Sequence, residues 1–258
     1  MVRRLIIAKS TADFTSHAGL GLIGMAIRQR THLAADAAAV APVRRDAMPH
    51  GDMLASYIAL LCLGKSDFEA IEAFRADPYF HAALGLEQVP SAAILRQRLD
   101  ARAAGFKDAV IEAGIEFLRR SAAPITPLAN GLVALDADVT PMNNAKTKKE
   151  GVSLTYKGED GFAPMAAYLG QEGYCLEWEL REGSQHCQKG TPELLTRVLE
   201  RARRLTVAPL LVRLDSGNDA IENIATRVAY AEQHPETAPI HYLIKWNPRR
   251  ESREDWLA

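Results

Sequence analysis

The chain has 258 residues, 48% of them hydrophobic and 24% charged, an ordinary globular composition that excludes a disordered protein. No apolar run approaches the roughly 20 residues of a membrane span, and the opening MVRRLIIAKSTADF has only a short apolar stretch where a secretory signal needs a longer one. A cytoplasmic protein without a membrane partner is therefore expected. The net charge of −1 neither supports nor excludes a nucleic-acid partner. Residues 1–125 carry 15 basic against 13 acidic side chains and the remainder 16 against 19, so any basic surface is local. Cys62, Cys175 and Cys187 are widely spaced and form no CxxC, which fits reduced thiols. The neighbours His186 and Cys187 lack further ligands at zinc spacing.

In chain order, the first 120 residues are rich in alanine and read as short helices, apart from a strand-like Leu5–Ala8. Met53, Leu54, Tyr57, Ile58 and Leu61 recur at helical spacing. Ser66 is expected to cap a helix with Phe68, Ile71 and Phe74 on one face, and Ser91 to cap SAAILRQRLDARAAG. Val110, Ile111, Gly114, Ile115 and Leu118 mark one more amphipathic helix. The triplet Gly19, Gly21 and Gly24 matches G-x-G-x-x-G, but a dinucleotide site needs a strand running straight into the first glycine, and a mixed polar stretch intervenes here. Arg96, Arg98 and Arg102 lie on the Ser91-capped helix. Arg98 and Arg102, four apart, share a face that either contacts DNA or is simply solvated.

The segment SAAPITPLAN, with Pro124 and Pro127, reads as a linker between a helical region at 1–125 and a second domain at 126–258. LVALDADVT is a strand ending in acids, and VSLTY, FAPMAAYL and YCLEWEL read as successive antiparallel strands. In the last of these, Tyr174, Leu176, Trp178 and Leu180 are expected on one side and Cys175, Glu177 and Glu179 on the other. Thr191 is expected to cap a helix with Pro192 at its first position and Leu194, Leu195, Val198, Leu199, Ala202 and Leu205 as its buried stripe. PLLVRL reads as a buried strand, DSGND as a loop, and a helix with Ile221, Ile224, Ala225, Val228 and Ala229 toward the core precedes the strand HYLIKW. The resulting order, β-β-β-α-β-α-β, implies an α/β fold: an all-helical front region, then a mixed sheet with helices on its faces.

Asp136 and Asp138 stand at the end of the first strand and Asp215 just past PLLVRL. Carboxylates at the ends of neighbouring strands converge, and hard cations such as Mg²⁺ take one or two carboxylates with water and phosphate oxygens. Such sites drive phosphodiester chemistry. Acids after strands also serve as turn formers, and spacing alone does not separate the two uses. Arg213 and Lys245 flank the position, either to neutralise phosphates or, for Arg213, to pair with a carboxylate.

Taken together, LDADVTPMNN, KGEDGFAPMAAYLG, LREGSQHCQKG and VRLDSGND resemble the DDE transposases of bacterial insertion sequences, and the strand order resembles the RNase H-like fold of their catalytic domain. The likeness extends to G-D-x-L at Gly51 and P-S-x-x-x-L at Pro90 in the front region. It implies Asp138 as the first catalytic carboxylate, with Asp136 its rival, and Asp215 as the second. It further implies Mg²⁺ or Mn²⁺ as cofactor, double-stranded DNA at element ends and target as partner, and self-association. The family's third carboxylate, a Glu on a later helix, has no counterpart here, since Glu251, Glu254 and Asp255 read as solvated charges. The expectation is thus the amino-terminal portion of such an enzyme, its RNase H-like sheet incomplete. A non-catalytic DNA-binding remnant that regulates a full-length enzyme and a stand-alone RNase H-like nuclease are the competing readings.

Overall fold

A computed structural model describes residues 15–44, 47–249 and 252–257. The expected strand at Leu5–Ala8, and Glu251, lie outside these. The chain divides into two compact units, 1–117 and 118–258. Among the described residues no helix is long and apolar enough to cross a membrane.

The first unit is helical: α1 (Leu20–Arg30), α2 (Leu33–Val40), α3 (His50–Cys62), α4 (Pro78–Leu84) and α5 (Ala92–Arg120). Its core gathers Leu20, Met53, Leu60, Ile71, Phe74, Phe80, Leu95 and Phe106, with the Phe74 and Phe80 rings 4.8 Å apart. Leu61, expected inside, is exposed, because α3 turns Ser56, Ala59 and Leu60 to the core instead. Phe68–Phe74 forms a 3-10 turn flanked by Asp67 rather than a helix capped by Ser66. Ser91 does cap α5, its hydroxyl accepting the Ile94 N–H at 3.3 Å. The last part of α5 buries Ile115 as expected, together with Phe106, Ala109 and Ala113, while Val110 and Gly114 are exposed.

The front-region motifs have packing roles. Gly24 sits where α1 meets α4, and a Cβ there would stand 1.9 Å from the Ala83 carbonyl oxygen. The G-x-G-x-x-G match therefore reports close helix packing. In G-D-x-L, the Asp52 carboxylate accepts the Glu87 and Gln88 N–H groups at 2.8 and 3.2 Å.

The second unit contains a five-stranded sheet in the order β6-β5-β1-β7-β8. Its strands are β1 (Val133–Val139), β5 (Met165–Leu169), β6 (Tyr174–Glu179), β7 (Leu210–Leu214) and β8 (Ile240–Ile244). β1, β5 and β6 form the antiparallel meander, while β7 and β8 run parallel to β1. VSLTY does not join it. With β2 (Met142–Asn143), β3 (Ser153–Leu154) and β4 (Asp160–Phe162) it makes a separate three-stranded sheet, ordered β2-β4-β3. Gly161 permits that pairing, since a Cβ there would lie 2.0 Å from the Met142 carbonyl oxygen.

The helix α6 (Thr191–Leu205) buries Leu194, Leu195, Val198, Leu199 and Ala202 as its spacing requires and packs on α7 (Ile221–Gln233) and β6. Thr191 is not its cap. Gly190 holds that place at φ 80°, and the buried Thr191 hydroxyl donates to the Cys187 carbonyl at 2.6 Å. The expected core face of α7 is also displaced, with Ile221 70% exposed and Asn223 and Tyr230 buried. Asn223 donates to the Asn218 carbonyl and Arg227 to the Ile240 carbonyl, and these buried polar demands set the helix rotation. A short helix, α8 (Arg253–Leu257), ends the described chain, and its Asp255 accepts the Ser252 hydroxyl at 2.7 Å.

β6 departs most from simple alternation. Its register with β5 jumps from Ala167↔Glu177 to Tyr168↔Cys175, so Leu176 is an extra residue. Leu176 and Glu177 are consequently both fully buried, whereas Trp178 and Leu180 are exposed. Glu177 accepts Arg197 at 3.1 Å, Arg201 at 2.6 Å and the Trp178 N–H at 3.1 Å, tying α6 to β6. Glu177→Ala is expected to destabilise the protein by about 3 kcal/mol, because it removes the carboxylate that balances the buried Arg201 charge. Urea denaturation checks this, and a loss below about 1 kcal/mol would mean that water compensates Arg201.

Candidate active site

β1 and β7 pair in register, Asp136 opposite Arg213 and Ala137 opposite Leu214. The next residues, Asp138 and Asp215, therefore leave two adjacent parallel strands at the same sheet edge. Asp138 is the sixth residue of a strand whose inward positions are Leu135, Ala137 and Val139, so the apolar alternation turns it outward. Both aspartates are exposed.

Asp136 shares the strand face of Asp138 but is otherwise engaged. Arg213 grips it bidentately, Nε to Oδ1 at 2.5 Å and Nη2 to Oδ2 at 2.6 Å, and this pairing raises the guanidinium pKa above its ordinary value. Among the described residues, the Asp138 carboxylate accepts the N–H of its neighbour Val139 at 2.8 Å. Although Asp138 reaches solvent, the atoms packed around its carboxyl withdraw enough water to raise its pKa. The Val139 N–H opposes that rise, the nearby Asp215 carboxylate adds to it, and the Lys157 ammonium opposes it.

Asp215 opens a 3-10 turn, Ser216–Asn218. Its Oδ1 accepts the side-chain amide of the fully buried Asn218 at 2.8 Å. Asn247, after β8, secures the same loop, donating its N–H to the Asp219 carboxylate at 2.8 Å and its side-chain amide to the Ser216 carbonyl at 3.1 Å. From the other side the Cys187 thiol donates to the Gly217 carbonyl at 2.7 Å. Burial pushes that thiol's pKa up, and the Asp215 charge acts in the same direction, so it stays protonated as a donor. The Cys187 loop is anchored in turn by buried Arg181, whose guanidinium donates to the Cys187 carbonyl at 2.9 Å, the Thr191 hydroxyl at 3.2 Å and Glu179 at 2.7 Å. Sequence reasoning singles out neither Arg181, Asn218 and Asn247 nor this tethering role of Cys187. The L-R-E-G-S string is the available signal for Arg181.

No group of three or more His, Cys, Asp or Glu side chains suited to a metal occurs among the described residues. Glu254 is exposed on α8. In the helical unit, Arg96 pairs with Glu69 and stacks over Phe68, and Arg98 donates to the Met48 carbonyl at 2.6 Å. Arg102 is exposed at a kink in α5, with φ −137° and ψ 19°. Both arginines nonetheless lie near His50, whose pKa is lowered by burial and further by the Arg98 and Arg102 charges.

A mixed sheet in this order, with acids at the ends of its two adjacent parallel strands, has the RNase H-like arrangement. The family model described as Transposase DDE domain group 1 matches residues 3–239, and the chain belongs to that family. No curated protein matches the chain. Among solved structures, it is similar to the piggyBac transposase in a synaptic complex with hairpin DNA. That similarity has 12% identity and a TM-score of 0.35, over 99% of this chain and 47% of the other, so the chain spans about half that protein's length.

The raised Asp138 pKa means that the folded protein holds this proton more tightly than the unfolded chain does. That contribution to stability is present at acid pH and is lost as pH rises through the raised value. In metal-free buffer, Asp138→Asn is expected to leave the melting temperature unchanged near about pH 3 and to raise it at about pH 7. Calorimetry at the two pH values checks this, and a lower melting temperature at neutral pH would show that the charge is stabilised in place.

Proposed function

We propose that this protein carries the DNA strand cleavage and strand-transfer site of a transposase, with Asp138 and Asp215 holding a divalent cation, Mg²⁺ or Mn²⁺. The observation that carries the reading is the in-register parallel pairing of β1 and β7, which brings these two carboxylates to one edge. The donor chemistry fits: both groups are hard oxygen ligands, and the nearby Cys187 thiol is committed to a carbonyl. Asp138 is preferred to Asp136 because Arg213 occupies both oxygens of the latter. A bound cation would polarise the phosphate and favour deprotonation of the attacking oxygen.

The chain's own groups would do the rest. Asp138 and Asp215 would hold the cation at their shared edge, where the like charge they place favours it. Lys157, close enough to depress the Asp138 pKa, would offset phosphate charge. Water would attack phosphorus as the bond to the 3′ oxygen breaks, and that oxygen would leave with a proton as a 3′-hydroxyl. The same hydroxyl would then attack a target phosphodiester, joining its oxygen to that phosphorus while the target's own 3′ oxygen leaves with the proton as a new 3′-hydroxyl. Double-stranded DNA at element ends and target is accordingly the substrate.

Titrating Mn²⁺ into the wild type, Asp138→Ala and Asp215→Ala should show weak binding that each substitution reduces by about tenfold or more, as loss of one of two carboxylates implies. Equal binding by all three proteins would sink the shared site.

The helical unit is proposed to contact the DNA backbone through α5. Of Arg96, Arg98 and Arg102, Arg102 is exposed, whereas Arg96 pairs with Glu69 and Arg98 with the Met48 carbonyl. Arg102→Ala is expected to lower the slope of log affinity against log salt by about 0.9 for each phosphate it no longer neutralises. Arg98→Ala should chiefly lower stability, by about 1–3 kcal/mol, because a partly buried carbonyl is left without its donor. An unchanged slope for Arg102→Ala, measured by anisotropy on duplex DNA, would remove this residue from the interface.

A further inference from the structure

At the first turn of α3 the helical unit gathers positive charge. His50, the first residue of α3, is buried, with 6% of its surface exposed, and its ring meets Phe106 of α5 edge to face at 5.0 Å. Arg98 of α5 lies beside it, with Nη1 3.5 Å from His50 Nδ1 and 2.6 Å from the Met48 carbonyl oxygen. Arg102, at the kink of α5, is exposed, and the described residues give it no hydrogen-bond or ion-pair partner.

Arginine only donates hydrogen bonds, so the Nδ1 turned to Arg98 is an acceptor, and neutral His50 carries its proton on Nε2. No acceptor among the described residues takes that N–H. Burial lowers the His50 pKa from the ordinary histidine value, and the Arg98 and Arg102 charges lower it further. The other charged side chains nearby in the chain or on the helices packed around it are Arg44, Asp36 of α2, Asp52 of α3 and Asp100 of α5. None of them figures among the charges that shift His50. Asp52 is bonded to the Glu87 and Gln88 N–H groups instead.

The backbone adds to the same charge. No side chain caps α3, so the N–H groups of its first turn keep their partial positive charge where His50 stands. The set calls for an anion with at least two oxygens, which would accept from Arg102, from the remaining donors of Arg98 and from the His50 Nε2–H. A phosphodiester has two such oxygens and one negative charge. With that charge against the two guanidiniums, their repulsion of a protonated His50 is offset, and the ring takes a proton from solvent more readily.

We propose that His50, Arg98 and Arg102 form a phosphate site for the DNA backbone, and that filling it is coupled to the uptake of one proton by His50. The site rests on the DNA-contacting role proposed above for α5. It makes the helical unit hold DNA more tightly in mild acid and more weakly as pH rises. One coupled proton permits at most about a tenfold change in affinity per pH unit.

The test follows the His50 ring by NMR in the full chain, in metal-free buffer, its signal identified as the one that His50→Gln removes. A short DNA duplex is expected to raise the His50 pKa until the ring holds its proton about tenfold more tightly. Arg102→Ala should lose that rise. By anisotropy at fixed ionic strength, the affinity of wild type for the duplex should gain about tenfold more than that of His50→Gln between about pH 7.5 and about pH 5.5. The other titrating groups are common to both proteins, so the difference reports His50. An unchanged His50 pKa on binding duplex overturns the inference, and this reading of the wild type holds even where His50→Gln folds poorly. Equal pH dependence of the two folded proteins overturns it as well. Inorganic sulfate raising the pKa where duplex does not overturns DNA as the ligand. If such a result accompanies a lowered salt slope in Arg102→Ala, only the proton-linked site fails. If that slope is also unchanged, the DNA-contacting role of α5 fails with it.

Discussion

The parallel pairing of β1 with β7 is the constraint on which the candidate site depends. The register sets Asp136 against Arg213 and carries Asp138 and Asp215 out at the same edge. A slip of one residue would turn each side chain to the opposite face and part the carboxylates from one another. The register is strongly specified because Val133, Leu135, Leu210 and Val212 on these strands are buried. Apolar packing thus positions two like charges that would otherwise repel each other apart.

Around that pair, the buried polar groups are concentrated on the loops. Arg181 reaches three partners at once, and Cys187, Asn218 and Asn247 each add one tether to the Asp215 turn. A turn of this kind, left to water, would exchange among conformations. Tied from β8, from the α6 entrance and from within, it holds the carboxylate in a fixed place. The Glu177–Arg197–Arg201 cluster gives α6 its place on β6, and so sets where the Cys187 loop ends.

The helical unit is organised by close backbone approach as much as by large side chains. Gly24 lies against Ala83, and Gly51 would bring a Cβ within 2.9 Å of the Ala34 Cα. Short helices bury little apolar surface each, so removing a side chain at a crossing lets neighbouring backbones meet and improves the packing of the rest. Asp77 and Gly85 then delimit α4, the first accepting the Tyr79 and Phe80 N–H groups and the second taking φ 68°.

By itself, the amino-acid sequence determined the order of elements, the change from helical to mixed character near residue 120, the stripe of α6 and the strand ends where Asp136, Asp138 and Asp215 stand. These features follow from side-chain period, turn residues and capping, which act over a few neighbouring positions. The family strings added the assignment of the acids. Tertiary structure alone revealed that Asp136 is paired with Arg213, because that arginine lies 77 residues away in the chain. The bulge at Leu176, the rotation of α7 onto Asn223 and Tyr230, and the kink at Arg102 escaped sequence reasoning for the same reason. None of these features leaves a local period to read, and the α7 face is occupied by contacts to segments outside its own helix.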